Sequence, residues 1–296
     1  MRKVTIAATQ MSCTNQIDEN IEKAETLIRQ AASQGANIIL LQELFSWLYF
    51  CQVIDHDYLN LAREEEDNPM LEHFQKISKE LHVVLPLSFF EKAGETFFNS
   101  VVVFDADGTK LGKYRKIHIP DDIGYYEKWY FAPGDLGFKV FDTEFCRLGV
   151  GICWDQWFPE AARAMYLMGA EVLMYLTAIG TFAVNPADLP KEPFNDIHWR
   201  NTMLGHAAAN IAPVVASNRV GVERLGNTAM KFHGSSFIGN HDGSLIAQMD
   251  KESEGVLLHT VDLDEVFEKR RREPFRRDRR TEHYAILMTM DGTFKI

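Results

Sequence analysis

Alternation constrains this chain most. Short buried-strand runs trade places with amphipathic helical runs, and hairpin signals lie between them. Val4 to Thr9 reads as a buried strand. Ile17 to Ser33 reads as a helix with Ile17, Ile21, Ala24, Leu27, Ile28 and Ala31 on one face, and Gly35 stands where the helix stops. Asn37 to Leu41 is a second strand, Leu71 to Leu81 a helix and His82 to Leu87 a strand. Asn99 to Asp105 and Thr109 to Lys116 flank Ala106-Asp107-Gly108, a hairpin turn. Leu148 to Ile152, Glu171 to Leu176, Pro213 to Ser217 and Val256 to Val261 read as strands, and Phe158 to Met168 and Asn195 to Asn210 as helices. A second hairpin straddles Asn240-His241-Asp242-Gly243, and Asp262 is a candidate cap for a final helix. Such a pattern predicts an α/β fold with a mixed sheet. No linker, repeat or composition break divides the chain, so residues 1–296 read as one domain.

Charge narrows the ligands. Lys plus Arg number 31 against 42 Asp plus Glu, a net charge of −11. An acidic chain is a poor match for nucleic acid, which needs the opposite sign, and a better one for a cationic or neutral small molecule. The four cysteines form no Cys-x-x-Cys pair, so no zinc site is expected, and free thiols suit a reducing compartment, the cytoplasm. After Met1-Arg2-Lys3 the apolar run Val4 to Ala8 is too short for a secretory leader. The longest apolar stretch, Tyr166 to Ile179, is broken by Gly169 and Glu171, so no membrane span is expected. From about residue 270 the chain turns arginine-rich, through Lys269-Arg270-Arg271-Arg272, Arg276-Arg277 and Arg279-Arg280. A solvated, salt-bridged helix end is the plain reading, and an arm reaching a subunit interface the functional one.

Three strand ends carry residues capable of chemistry. Cys153 closes Leu148 to Ile152 just before a helical stretch, the strand-to-helix elbow where α/β enzymes place nucleophiles. Position alone leaves a small core cysteine as the equal alternative. Glu43 ends the run Ile38 to Gln42, where partial desolvation favours a base, or where a glutamate simply turns to solvent. Lys116 shares a strand face with Tyr114 and opposes Arg115; it is a surface lysine or a donor to a developing oxyanion. His118 offers a Cys–His alternative but has no orienting partner in sequence, and His198, His206, His233 and His241 read as structural or solvated.

Taken together, Leu40-Leu41-Gln42-Glu43-Leu44-Phe45, Lys113-Tyr114-Arg115-Lys116-Ile117-His118-Ile119-Pro120 and Gly151-Ile152-Cys153-Trp154-Asp155 resemble, in order, the three signature motifs of the nitrilase superfamily of carbon–nitrogen hydrolases. The resemblance runs from Val4 to about Leu287. It implies a four-layer α-β-β-α sandwich with mixed sheets, no metal or organic cofactor, and a homo-oligomer, dimer or larger. It implies Glu43 as general base and acid, Lys116 as oxyanion donor, Cys153 as nucleophile and the Trp154 backbone N–H as second oxyanion donor. Glu127, in Gly124-Tyr125-Tyr126-Glu127-Lys128, matches a further glutamate often found near that triad.

Within the superfamily the likeness is greatest to the N-carbamoylputrescine amidohydrolase branch. It is carried by Tyr49-Phe50-Cys51-Gln52, His118-Ile119-Pro120-Asp121-Asp122, Cys153-Trp154-Asp155-Gln156-Trp157-Phe158-Pro159-Glu160-Ala161-Ala162-Arg163, Gly205-His206-Ala207-Ala208-Ala209-Asn210 and Ala216-Ser217-Asn218-Arg219. That branch implies hydrolysis of N-carbamoylputrescine to putrescine, carbon dioxide and ammonia, with Asp121, Asp122 and Asp155 as candidates to meet the cationic tail. The alternatives are the same chemistry on another substrate, as in an ω-amidase or a β-ureidopropionase, or a silent binding subunit. The chain departs from the branch at Ser46 and Trp47, where an acidic and a small residue are usual, at Leu176, and at Phe182, where a carboxylate near the substrate amine is usual. The Pro-rich stretch from Phe182 to Pro193 is also unlike the branch.

Overall fold

A computed structural model describes residues 2–191 and 195–293. In chain order it begins with β1 (Lys3–Gln10), α1 (Ile17–Ser33), β2 (Ile38–Leu40), α2 (Pro69–Leu81), β3 (Leu85–Ala93), β4 (Thr96–Phe104) and β5 (Lys110–Arg115). Next come α3 (Glu127–Tyr130), β6 (Val140–Asp142), β7 (Arg147–Ile152), α4 (Pro159–Leu167), β8 (Val172–Leu176), β9 (Gly180–Ala183), α5 (Ile197–Asn210) and β10 (Val214–Ser217). It continues with β11 (Val220–Leu225), β12 (Thr228–His233), β13 (Phe237–Gly239), β14 (Leu245–Gln248), β15 (Gly255–Asp262) and α6 (Leu263–Arg272).

Strands pair in the orders β15-β1-β2, β3-β4-β5, β14-β13-β10-β8-β7-β6 and β11-β12-β9. Ile38 bridges Val84, which brings the first two groups side by side. In the six-stranded sheet β10, β8 and β7 are parallel and the outer strands antiparallel. β8 is buried along its whole length, as a strand covered on both faces must be. The layers follow from three cores. Leu27, Ile28, Phe74 and Ile77 of α1 and α2 pack on Ile39, Leu85 and Leu87. Ile6, Ile38, Leu40 and Val101 of one sheet face Val150, Ile152, Met174 and Val215 of the other. Met165, Trp199 and Met203 of α4 and α5 pack on Leu173, Tyr175 and Val214. This is the expected α-β-β-α sandwich with mixed sheets.

Where the structure differs from the sequence reading, the cause is local. β3 starts at Leu85 rather than His82, because His82 takes a left-handed φ of 54° and caps α2 through its N–H to Ser78 O. It then runs on to Ala93 and turns at Gly94-Glu95 into β4. The sheet β11-β12-β9 goes unseen in sequence, because Glu223, Arg224 and Lys231 break the apolar alternation of its strands. Phe182 opens no loop: Gly180–Ala183 pairs with β12, while Glu192 and Pro193 lie outside the described residues. Asp262 caps α6 as expected, accepting from the N–H groups of Asp264 (3.0 Å) and Glu265 (3.4 Å). Arg271, Arg277 and Arg280 form exposed ion pairs, but Arg270 turns back and donates to Ile211 O and Ala170 O, both at 2.9 Å. Among the described residues no helix is long and apolar enough to cross a membrane.

Candidate active site

Glu43 stands just beyond β2, where the chain leaves the sheet through Leu44 at a left-handed φ of 48°. A non-glycine residue in that region is strained and persists only where its surroundings hold it. Here the buried guanidinium of Arg219 holds it. Nη2 donates to Glu43 O (3.0 Å) and Leu44 O (2.5 Å), and Nη1 donates to Trp47 O (2.9 Å) and Glu223 Oε1 (2.7 Å). Glu223 in turn accepts from Tyr49 N at 2.5 Å. The Glu43 carboxylate is fully buried, and its Oε1 accepts from Asn99 Nδ2 (2.6 Å) and Lys116 Nζ (2.8 Å). Its Oε2 is buried without a protein partner among the described residues. One oxygen is fixed and the other is left free to accept a proton.

Lys116 follows β5, buried on the Tyr114 face as alternation requires. Its N–H donates to Asn99 O (2.9 Å) and its carbonyl accepts from Gly134 N (2.7 Å). A Cβ at Gly134 would come within 2.1 Å of Arg115 O, so only glycine allows this approach. Lys116 Nζ donates to Glu43 and, at 2.6 Å, to Glu127 Oε2; Glu127 Oε1 accepts from Tyr49 O–H at 2.7 Å. Burial alone would lower the Lys116 pKa, but Glu127 and Glu43 together hold it well above its ordinary value. Two carboxylates share one ammonium in a dry setting. Desolvation therefore pushes Glu127 up to about 7, Lys116 pulling it down and Glu43 adding to the rise.

Cys153 follows β7 at a left-handed φ of 44°, as a strained elbow would, and opens the short 3-10 helix Cys153–Trp157. The Trp154 N–H lies in that first turn, where helical N–H groups have no partner within their own helix. Desolvation, with Glu43 and Glu127 adding to it, raises the thiol well above its ordinary pKa, while Lys116 and the Ala178 N–H act the other way. A thiol so raised stays protonated near neutral pH and needs a base to become a nucleophile.

Of the sequence-stated candidates, the structure gathers Glu43, Lys116 and Glu127 into one hydrogen-bonded cluster and sets Cys153 in electrostatic contact with it. Asp121 and Asp122 lie on an exposed loop, where Asp122 accepts from Ile123 N at 2.7 Å. Asp155 is a correction: it is fully buried and both its oxygens are taken by protein donors, so it is not free for a substrate amine. His118 has the orienting partner that sequence did not reveal, Asp155, and its ring stacks on Phe158. Sequence reasoning missed Tyr49, Asn99 and Glu223 and gave Arg219 no part. A Gly226-Asn227 turn between β11 and β12 was the available signal for the hairpin that carries Glu223. Phe182 packs on Gly124, where a Cβ would fall 2.2 Å from its ring. Among the described residues no group of His, Cys, Asp and Glu could hold a metal ion.

The carbon-nitrogen hydrolase family model matches residues 5–271. Over 295 residues the chain is 50% identical to an N-carbamoylputrescine amidase of Arabidopsis thaliana, an alignment covering 98% of this chain and 97% of that one. It is 46% identical over 284 residues to a citrullinase of Francisella tularensis, covering 96% and 98%. The crystal structure of a carbon-nitrogen hydrolase from Helicobacter pylori G27 superposes with a TM-score of 0.88 at 38% identity, covering 97% of this chain and 99% of that one. Matched from its first strand into its last helix, the chain belongs to the carbon–nitrogen hydrolase family.

Proposed function

We propose that this hydrolase converts N-carbamoylputrescine and water to putrescine, carbon dioxide and ammonia. The observation that carries the substrate is the 50% identity, along nearly the whole chain, to an N-carbamoylputrescine amidase. In this reading the free oxygen of Glu43 takes the Cys153 proton and the thiolate attacks the carbamoyl carbon. Lys116 and the Trp154 N–H hold the oxyanion, one such donor being worth about 10²–10³ in rate. The carbon–nitrogen bond breaks as Glu43 returns the proton to the departing nitrogen, leaving a thioester-like acyl cysteine. Glu43 then activates water, which attacks the carbamoyl carbon and displaces the Cys153 thiol; the carbamic acid released breaks down to carbon dioxide and the remaining nitrogen as amine or ammonia. Glu127 holds Lys116 in place together with Glu43.

Asp121 and Asp122 are the carboxylates offered to the cationic tail, and the net charge of −11 supports a cationic substrate. The exposed Phe275, Leu287 and Met288 of the C-terminal segment support a homo-oligomer in which that segment meets a second copy. Four free, buried cysteines support a reducing compartment, the cytoplasm. A second reading is citrulline, favoured by the 46% identity to a citrullinase and by Phe182 in place of a carboxylate. Citrulline carries the same ureido head on an amino acid.

The test is ammonia release from N-carbamoylputrescine, citrulline, N-carbamoyl-β-alanine and a simple ω-amide, with Cys153→Ala as the blank. Fast release from N-carbamoylputrescine that vanishes in Cys153→Ala is expected. Release from citrulline alone would move the substrate to the second reading, and turnover surviving in Cys153→Ala would overturn the mechanism.

A further inference from the structure

We propose that Asp155 is a positioning residue, which holds the Lys116 strand end and the Cys153 elbow in one frame. Lys116 leaves β5 and Cys153 leaves β7, and these strands lie in different sheets with no ladder between them. The packed core sets the spacing of the sheets, and Asp155 adds hydrogen bonds to both strand ends. Its Oδ2 accepts from Ile152 N (3.0 Å), the residue before the nucleophile, and from Tyr114 O–H (2.7 Å). Its Oδ1 accepts from His118 N (3.1 Å) and from His118 Nδ1–H (2.8 Å), two residues past Lys116. Tyr114 Oη also accepts from Ile117 N at 3.2 Å. The His118 ring is fixed on its other side by Phe158, with centroids 3.7 Å apart and planes within 6°. Lys116 is thus bracketed on both sides by residues bonded to one buried carboxylate.

The chemistry requires a carboxylate. Four donors converge on two acceptor oxygens. An asparagine would turn an N–H₂ group on one pair of donors and lose it. An aspartate two residues after the cysteine and a histidine two residues after the lysine are the sequence trace of this brace.

The inference rests on the reading above that Lys116 and Cys153 act on one substrate carbon, and its test has a readout that needs no substrate. Alkylation of Cys153 by iodoacetamide is followed against pH by mass spectrometry, with Cys153→Ala as the blank. Steady-state kinetics are measured beside it. Asp155→Asn is expected to lower kcat about 10–100-fold with KM little changed, since a displacement near 1 Å is enough for such a loss. It is also expected to shift the alkylation profile to higher pH, as Lys116 moves away from the thiol. His118→Gln should give a smaller loss of the same kind, and the double variant should lose no more than Asp155→Asn alone. A folded Asp155→Asn with wild-type kcat and alkylation profile would overturn the proposal, as would strictly additive losses. Should Asp155→Asn fail to fold, His118→Gln decides, because its side chain is 24% exposed and not part of the core. A wild-type enzyme that releases no ammonia from any carbamoyl substrate, while the alkylation profile still shifts, would sink the functional reading and leave the brace standing.

Discussion

Two carboxylate clusters lie back to back across β4 and β5, and they differ in how fully they are satisfied. On one face Arg115 and Ser100 meet Glu91; on the other their neighbours Lys116 and Asn99 meet Glu43. Glu91 Oε1 accepts from Lys113 Nζ (2.5 Å) and Arg115 Nη2 (2.6 Å), and its Oε2 from Arg115 Nε (2.9 Å) and Ser100 Oγ (2.5 Å). Burial works to raise its pKa, but those partners outweigh it and the net shift is down. The inner cluster has one ammonium for two carboxylates, with Glu43 Oε2 and Asn99 Oδ1 lacking any protein partner among the described residues. The same residue types are fully paired where cations are plentiful and leave acceptor oxygens unpartnered where they are short.

The contrast can be broken by matched substitutions. Glu43→Gln should cut kcat by about 10²–10⁴, the usual worth of a positioned base, with little change in melting temperature. Lys116→Met should cost about 10²–10³ as the oxyanion loses a donor. On the outer face Glu91→Gln should leave kcat near wild type and lower stability by about 1.5–3 kcal/mol, the worth of hydrogen bonds to a charged group, read by urea melts. Equal loss of kcat in Glu91→Gln and Glu43→Gln would erase the distinction.

The two faces should also answer pH with opposite sign. Glu127, raised from 4.5 to about 7, holds a proton in the folded state that the unfolded chain has released. Its contribution to stability is present below pH 4.5 and fades as pH rises through about 7. Glu91, held below 4.5, contributes above that value and fades on acidification. Melting temperatures should therefore show wild type losing ground to Glu127→Gln between pH 5 and 8, roughly the span of that titration, and to Glu91→Gln only in acid. Smallest of all, Asp121→Asn and Asp122→Asn should raise KM for N-carbamoylputrescine by a factor of about 2–5, as exposed charge pairs do. An unchanged KM would remove that loop from substrate recognition.

Much of this was legible in the sequence, unevenly. α1 was read with its observed ends, because its apolar face repeats cleanly and Gly35 follows it. Glu43, Lys116 and Cys153 each end an apolar or alternating strand run, which alone left a structural reading open for each; the resemblance of their three motifs, in order, to those of the superfamily singled them out. Tyr49, Asn99 and Glu223 were not, because their partners lie far along the chain: Asn99 is 56 residues from Glu43, and Glu223 is 174 from Tyr49. Asp155 was misread because a lone aspartate near a nucleophile looks the same in sequence whether it faces a ligand or four protein donors.

The division of the site between sheets has a temporal side. Glu43, Asn99, Lys116 and Glu127 come from the first half of the chain, while Cys153, Ala178 and Arg219 come from the second. During synthesis the segments that bear Glu43 and Lys116 are made before Cys153, while Arg219, which holds the Glu43 turn, and β15, which pairs with β1, follow later. On the proposed mechanism, activity recovered on refolding cannot precede the docking of the two sheets, because Lys116 and Cys153 are carried by different ones.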